Sequence, residues 1–212
     1  MTKKDNEGGH RVRLAASAAL PTRWGTFTIH SFTTEAGTEG PILLARGAAF
    51  RSLPAEPDKA PPPLLVRVHS ECKTGDLFGS LRCDCGEQLA ESMRLVGAAE
   101  EGAVIYLRQE GRGIGLHAKL HAYVLQDEGL DTVEANLRLG FPVDMRDYGE
   151  AAEILHLMGR TRVRLLTNNP DKVSGLERHG IVVVEKLPLR VASNPHSLRY
   201  LQAKRDRLGH AI

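Results

Sequence analysis

Apolar residues recur along this chain with two periods, two residues in some segments and about 3.6 residues in others. The first period, together with short apolar runs, predicts strands at 24–32, 41–50, 64–69, 104–107, 162–166 and 181–186. The second period predicts helices over 86–99 and 170–179, along a stripe of Leu116, Leu120, Tyr123 and Val124, and along a stripe of Ala151, Ile154, Leu155 and Met158. Strands and helices therefore alternate through most of the chain.

This alternation predicts the α/β class. We expect a layered α/β/α domain with a mixed sheet, because the strand-rich first part is suited to antiparallel pairing whereas helices separate the later strands. Residues 1–10 are polar and are expected to form a flexible N-terminal tail, and the proline-rich stretch 51–63 a surface loop. No long linker divides the chain of 212 residues, so 11–212 is expected to form a single domain.

Charge and hydropathy argue against two classes of partner. Lysine and arginine exceed aspartate and glutamate by 28 − 26 = 2, so the overall charge gives no reason to expect binding to nucleic acid or to a membrane. No segment approaches the roughly eighteen consecutive apolar residues of a membrane span, and the first residues lack a signal-length apolar stretch. We therefore expect a soluble, cytoplasmic protein with reduced thiols.

The three cysteines of the chain, Cys72, Cys83 and Cys85, are close together in sequence. Three thiolates with an open fourth position are typical of a zinc site that activates water, because zinc prefers sulfur ligands in tetrahedral geometry. Free buried cysteines are the main alternative, since cysteine is among the most buried residues. Asp84 and Gly86, however, make the segment a polar turn, which favours the metal.

Two other arrangements of the cysteines stay open. A disulfide between Cys83 and Cys85 would close a very small, strained ring and would leave one thiol over. A structural zinc would need a fourth protein ligand, and His69 is a candidate for it. The number of ligands around the metal therefore separates a catalytic site from a structural one.

A glycine-rich loop follows the strand predicted at 104–107 and precedes a helix. Its sequence over 108–115, RQEGRGIG, suits phosphate, because glycines let backbone amides approach an anion and Arg112 lies between two of them. The spacing is not that of the dinucleotide fingerprint. A tight turn that needs positive φ explains the glycines equally well.

A second loop places a lysine at the start of a helix. Asn169 is expected to cap the helix predicted at 170–179, and Pro170 suits its first position. Lys172 then lies in the first turn, where a cation is unfavourable for the helix dipole unless an anion compensates it. This local conflict favours a phosphate ligand.

A third loop carries Asp144 and Arg146, followed by Asp147 and Glu150 at the spacing of a capping box. By itself this motif is best explained as a salt-bridged surface loop. Taken together, basic side chains on three loops and a cluster of cysteines indicate a polyphosphate substrate whose other end meets an activated water.

Six blocks of sequence occur in a characteristic order. They are RVHSEC at 67–72, SLRCDCG at 80–86, RQEGR at 108–112, IGL at 114–116, DTVEAN at 131–136 and LLTNNPDK at 165–172. Together they resemble GTP cyclohydrolase II, and the resemblance runs from about Leu20 to His210. Many relatives carry a dihydroxybutanone-phosphate synthase domain ahead of this one, for which 212 residues leave no room, so the chain resembles the monofunctional form with 11–212 as its catalytic domain.

The resemblance implies a hydrolase that opens the imidazole ring of GTP at C8. Formate and pyrophosphate would be released and 2,5-diamino-6-(5-phosphoribosylamino)pyrimidin-4(3H)-one formed, in the first committed step of riboflavin biosynthesis. It also implies one Zn²⁺ per chain on Cys72, Cys83 and Cys85, Mg²⁺ on the triphosphate, and a homodimer.

The resemblance further implies roles for individual residues. Arg146 matches a nucleophile toward the α-phosphate and Asp144 its proton acceptor, although a guanidinium is normally charged, so charge stabilisation by Arg146 stays open. Tyr123 matches an active-site tyrosine near the metal, while its place on an apolar stripe fits a core residue equally. The positions that contact GTP in the family fall on Arg67, Val68, His69, Ser70, Glu71, Gln88, Glu110, Gly111, Arg112, Thr132, Thr167 and Lys172.

Three other functions stay open. A divergent family member in a specialised pathway would stop at a formamidopyrimidine. A zinc nucleobase deaminase would explain the H-x-E of 69–71, but its P-C-x-x-C partner is absent and the spacing of Cys83 and Cys85 is wrong for it. A non-catalytic nucleotide-binding module with a structural zinc would leave GTP unchanged.

Overall fold

One mixed sheet organises residues 12–48, 50 and 61–191, which are the residues that the computed structural model describes. Its strands are β1 (Val12–Thr22), β2 (Gly25–Thr34), β3 (Glu39–Arg46), β4 (Leu64–Ser70), β5 (Gly102–Leu107), β6 (Arg162–Leu166) and β7 (Val182–Leu187). The helices are α1 (Lys73–Asp76), α2 (Cys85–Ala98), α3 (Gly115–Asp127), α4 (Thr132–Arg138), α5 (Gly149–Leu157) and α6 (Pro170–Glu177), with a 3₁₀ turn at Glu110–Gly113. The predicted tail at 1–10 and most of the predicted loop at 51–63 lie outside the described residues.

The order of the strands is β1-β2-β3-β5-β4-β6-β7. Pairing is antiparallel from β1 through β3 to β5, and parallel among β5, β4, β6 and β7. This confirms the predicted mixed sheet with an antiparallel first part. Because β4, β5 and β6 are parallel and adjacent, their carboxyl ends meet at one edge, the usual place for a ligand in an α/β sheet.

Helices cover both faces of the sheet, which confirms the α/β/α layers. On one face, Met93 and Val96 of α2 pack with Val104 of β5. On the other face, Ile154 and Leu155 of α5 belong to the larger cluster, which also contains alternate residues of β5. The stripe of Ala151, Ile154, Leu155 and Met158 is buried as predicted.

The stripe predicted on α3 is not a core stripe. Leu120 is 45% exposed and Val124 is 56% exposed, and Ala122 is the buried residue of this helix. The reason is that α3 packs against the 3₁₀ turn and α4 rather than on the sheet. Periodicity alone cannot distinguish a face against the core from a face against solvent.

Three described elements were not predicted. β1 is rich in alanine and exposed along most of its length, so it lacks the alternation that marks a half-buried strand. Its position depends on pairing with β2. α1 and α4 are short, and short elements give weak periodic signals. Within residues 12–48, 50 and 61–191, no helix has the length and apolar character of a membrane span.

Candidate active site

A pocket opens at the carboxyl ends of β4, β5 and β6. All residues predicted for the site line it except Val68 and Asp144. Those in the lining are Arg67, His69, Ser70, Glu71, Cys72, Cys83, Cys85, Gln88, Glu110, Gly111, Arg112, Tyr123, Thr132, Arg146, Thr167 and Lys172. Segments far apart in sequence therefore converge because the strands that precede them are neighbours.

The two exceptions support the pocket from behind. Val68 is fully buried in the core, and its carbonyl oxygen accepts a hydrogen bond of 2.7 Å from Lys172 Nζ. Asp144 does not line the pocket, but its carboxylate accepts hydrogen bonds from Arg146, which does. Both residues thus position a cation whose side chain faces the pocket.

The cysteines form one end of the pocket. The sulfur atoms of Cys72, Cys83 and Cys85 all lie within 4.8 Å of one another, and the three residues are free cysteines. Gly75 provides the room for them, since a Cβ there would lie 3.0 Å from Cys83 Sγ and 3.3 Å from Cys72 Sγ. Three convergent sulfurs in a cradle lined by glycine fit zinc, and they do not fit the alternative of a disulfide.

The chemistry of these thiols supports their role as ligands. Hydrogen bonds with Cys83 and Cys85 lower the pKa of Cys72 far below its ordinary value, although burial opposes the shift. The hydrogen bond between Cys72 and Cys83 has the opposite effect on Cys83, whose pKa it raises to about 11. The lowered pKa of Cys72 favours the thiolate, which is the form that binds a metal.

His69 is turned away from a role as the fourth ligand. Its Nε2 lies 3.1 Å from both carboxylate oxygens of Asp76, and burial lowers the pKa of this histidine, so the neutral ring donates Nε2–H. Asp76 also accepts from the backbone N–H of Cys72 at 3.0 Å and from Tyr106 OH at 2.9 Å. Among the described residues, the group of convergent potential ligands contains the three sulfurs and no histidine. The site is thus suited to an open coordination position.

Cations form a second group of side chains in the pocket. Arg67 donates to the Leu166 carbonyl oxygen at 3.0 Å and to Gln88 Oε1 at 2.7 Å, and burial lowers its pKa to about 10, which leaves it charged at neutral pH. Lys172 follows the predicted start of α6, where Asn169 caps the helix through the Asp171 N–H at 2.9 Å. Both cations line the pocket, and their charge suits a phosphate ligand.

The glycine-rich loop is a tight turn with left-handed backbone. Such a turn is one of the two explanations that the sequence allows for the glycines, and phosphate binding is the other. Gly111 and Arg112 both have φ of 63°, and for arginine this conformation costs roughly 1–2 kcal/mol. The Arg112 carbonyl accepts from Met145 N–H at 3.0 Å, which ties the turn to the loop of Arg146. Arg112 Nη1 is buried without a hydrogen-bond partner in the described part of the chain, which suits an anion at this wall.

Arg146 and Asp144 form a close ion pair. Arg146 Nε lies 2.9 and 3.0 Å from the two carboxylate oxygens, and Nη2 contacts Oδ2 as well. Burial would raise the pKa of Asp144, but the hydrogen bonds from Arg146 outweigh burial and lower it. An ionised carboxylate of low pKa is a weak base, so this geometry favours a charged, oriented guanidinium over a deprotonated one.

The helix after this pair does not begin with the predicted capping box, because its N-cap is Tyr148 and no side-chain capping hydrogen bond forms there. Asp147 Oδ1 accepts from Gly149 N–H at 2.8 Å, while the Asp147 N–H donates to Gln109 Oε1 at 3.3 Å. The Asp147 N–H, which a capping box would direct to Glu150, thus contacts the loop after β5. This contact joins the Arg146 loop to the glycine-rich turn.

Among the predicted GTP-contacting residues Glu71, Gln88 and Glu110, the last two already have close partners within the protein. Glu110 is 4% exposed and accepts from Lys73 N–H at 2.6 Å, Gly111 N–H at 3.0 Å and Lys119 Nζ at 2.7 Å. Gln88 joins Arg67 to Asp84. Glu71 has a looser contact, 3.5 Å from Lys73 Nζ, and is the best placed of the three to accept from a base.

Tyr123 is a pocket residue and not a core residue. Its hydroxyl lies 3.4 Å from Thr74 Oγ1, and the Arg82 guanidinium lies 4.8 Å from the centre of its ring. Burial raises the pKa of Tyr123, so the phenol stays protonated. It can therefore act as a hydrogen-bond donor beside the cysteines.

Arg82, Gln109 and Lys119 also line the pocket and were not predicted as site residues. Lys119 lies four residues before Tyr123 on the same helix, a spacing that puts the two side chains on one face. That spacing was the available signal for Lys119. Arg82 precedes Cys83 directly, so adjacency to a ligand was its signal.

With this geometry established, comparison with known proteins identifies the family. The family model of GTP cyclohydrolase II matches residues 12–188. The chain belongs to this family. Membership confirms the resemblance on which the predicted reaction depends.

Relatives in the GTP cyclohydrolase II family support the assignment along nearly the whole chain. GTP cyclohydrolase-2 of Neisseria meningitidis serogroup A is 50% identical over 201 residues, which cover 95% of this chain and 97% of the relative. The riboflavin biosynthesis protein RibBA of Salinispora tropica is 51% identical over 203 residues, which cover 95% of this chain and 48% of the relative. This chain therefore spans about half the length of that second relative.

Proposed function

We propose that this chain opens the imidazole ring of GTP and releases formate and pyrophosphate, as the first committed step of riboflavin biosynthesis. The product is 2,5-diamino-6-(5-phosphoribosylamino)pyrimidin-4(3H)-one. One observation carries the proposal: the sulfur cluster and the cations from three separate loops line one pocket. A guanine ring beside the sulfurs and a triphosphate beside the cations match these two sets of residues.

We assign one Zn²⁺ to Cys72, Cys83 and Cys85. When bound, zinc supplies a Lewis acid and lowers the pKa of water to near neutrality, the chemistry needed at C8 of guanine. The chain's own residues hold the reacting ring there. Tyr123, kept protonated by burial, donates a hydrogen bond to the formyl oxygen as formate departs.

At the other end, the cations bind the triphosphate. Arg146, oriented by the ionised Asp144, stabilises the charge that develops on the α-phosphate oxygens as pyrophosphate leaves. Arg67, Arg112 and Lys172 hold the remaining phosphate oxygens, and a bound Mg²⁺ would neutralise charge on the leaving pyrophosphate. A homodimer is the expected assembly, and light scattering of the purified protein tests it.

The direct test is incubation of the purified protein with GTP, zinc and magnesium, with formate, pyrophosphate and product mass all measured. We expect stoichiometric formate and pyrophosphate, near one zinc per chain by elemental analysis, and loss of both zinc and formate in Cys83→Ser. Ammonia in place of formate would indicate a deaminase. Accumulation of a formamidopyrimidine would indicate the divergent family member, and unchanged GTP a binding module.

A further inference from the structure

Lys119 is the cation that borders the cysteine cluster. Its ammonium lies 3.1 Å from Cys72 Sγ, 2.9 Å from Thr74 Oγ1 and 2.7 Å from Glu110 Oε1. A lysine ammonium has three hydrogens to donate, and these three contacts use all of them. The side chain is 12% exposed, so water screens these contacts little.

The three acceptors come from two segments of the fold. Cys72 precedes α1, Thr74 lies within α1, and Glu110 opens the 3₁₀ turn after β5. The aliphatic part of Lys119 packs closely against Gly111. There is no room for a side chain between them, since a Cβ on Gly111 would lie 3.1 Å from Lys119 Cβ. Lys119 thus joins the cysteine segment to the glycine-rich turn at a fixed position.

The contact with sulfur has a consequence for metal binding. Three thiolates around a divalent ion carry a net formal charge of 2 − 3 = −1, counted over Cys72, Cys83 and Cys85. A cation at hydrogen-bond distance from one of these sulfurs stabilises the loaded site relative to the empty one. Glu110 keeps that cation in place from the opposite side.

Lys119 also connects this charge to Tyr123. Thr74 Oγ1, which accepts from Lys119, lies 3.4 Å from Tyr123 OH and 3.6 Å from Cys72 Sγ. The orientation of the threonine hydroxyl therefore depends on the lysine. Loss of Lys119 would release both the sulfur and the hydroxyl that faces the phenol.

We propose that Lys119 is a positioning residue of the zinc site: its ammonium compensates the Cys72 thiolate and orders the Thr74 hydroxyl toward Tyr123. This inference rests on the zinc site of the proposed function. Outer partners of metal ligands typically contribute 10- to 100-fold to metal affinity. Lys119 does not contact the substrate phosphates in this arrangement, because its three donors are already used.

The test measures the zinc affinity of Lys119→Met by competition with a chromophoric chelator, and the sulfur-to-cobalt charge-transfer absorption of the Co²⁺-loaded protein. We expect an affinity about 10- to 100-fold weaker than that of the unmodified protein and a shifted charge-transfer band. Lys73→Met is the matched control. The Lys73 side chain is 41% exposed and pairs with Glu71 at 3.5 Å, so the zinc affinity of Lys73→Met should be unchanged.

Lys119→Met removes the cation from Cys72 and also leaves Glu110 buried without its cation. A second variant separates these two causes of a weaker zinc affinity. In the double variant Glu110→Gln, Lys119→Met no such charge remains. We expect zinc affinity to stay weak in it; recovery of the unmodified affinity would show that Lys119 only neutralises Glu110. If the unmodified protein binds no zinc, the metal assignment itself is wrong. If the unmodified protein and Lys119→Met bind zinc with equal affinity, only the inference about Lys119 is overturned.

Discussion

The two ends of the pocket differ in how their charges are held. At the cysteine end, charged groups face each other: Lys119 lies between Cys72 and Glu110. At the phosphate end, Arg67 and Lys172 donate to the backbone carbonyls of Leu166 and Val68, which are neutral acceptors. Lys119 is thus held by anionic groups and Arg67 by neutral acceptors, whereas Arg146 is paired with the Asp144 carboxylate.

This difference matches the parts of the proposed substrate. A guanine base is neutral and must be recognised by hydrogen bonds, whereas the triphosphate is an anion that a set of oriented cations attracts. Each of the following measurements changes one end and leaves the other intact.

The largest expected effect concerns the base. ATP carries the same triphosphate but a different pattern of donors and acceptors on its ring, so only the cysteine end distinguishes it from GTP. We expect kcat/KM for ring opening of ATP to be lower by about 10⁴-fold, because buried polar groups would be left unpaired. Formate release from each nucleotide at equal concentration measures this, and comparable rates would show that the base edge is not recognised.

A pair of variants separates formate release from pyrophosphate release. Cys85→Ser should lower formate release by about 10³-fold, since loss of a ligand removes several kcal/mol of metal-assisted stabilisation. Arg146→Ala should lower pyrophosphate release by about 10²- to 10³-fold. The ratio of pyrophosphate to formate should therefore rise in the first variant and fall in the second.

The control for this pair is Arg138→Ala, which removes an exposed arginine of α4. Both products should form at the native rate and in the native ratio. Equal losses of both products in Cys85→Ser and Arg146→Ala would mean that the two events are strictly coupled, and the division of the pocket into two ends would not describe the chemistry.

Tyr123→Phe removes a single hydroxyl beside the cysteines and tests its proposed role as a hydrogen-bond donor. We expect formate release to fall by about 10²-fold, a typical contribution of a positioned proton donor. A formamidopyrimidine should then accumulate, because the earlier ring opening does not need this donor. Mass spectrometry of the products decides the point; fully deformylated product at the native rate would mean that Tyr123 only shapes the wall.

The smallest expected effect is on stability. Tyr148 is 4% exposed, and its hydroxyl has no hydrogen-bond partner among the described residues. Tyr148→Phe should raise the free energy of unfolding by about 1 kcal/mol, because an unsatisfied buried group is removed. Tyr106→Phe is the matched control: it removes a bond of 2.9 Å to Asp76 and should lower the free energy of unfolding by about 1 kcal/mol. Urea titrations of both variants give the comparison.

Local rules predicted the parts of the site that depend on neighbours in sequence. Asn169 and Pro170 begin α6 as capping chemistry requires, and the same rule correctly predicts Lys172 in the first turn of that helix. The six sequence blocks identified the family for the same reason, since each block is a contiguous segment. The clustering of the cysteines depended on two of these blocks, which are close neighbours in sequence.

Contacts across long stretches of sequence were beyond such rules. Glu110 is one of the predicted GTP-contacting positions, and its carboxylate accepts from the backbone N–H of Lys73, which is 37 residues away in sequence. His69 was a candidate ligand, but its ring donates to Asp76 instead. The stripe of α3 failed because tertiary packing, and not periodicity, decides which face of a helix is buried.

The position of the supporting strands has a consequence for motion. β5, β4 and β6 lie inside the sheet, whereas β1 is an exposed edge strand. Proteins open locally from such edges, and their interior strands exchange amide hydrogens only when the whole domain unfolds. The amides of Val66, Val104 and Leu165 should therefore be the slowest to exchange with deuterium, and those of β1 should exchange faster. The strands that carry the pocket loops would then keep their positions while the β1 edge opens.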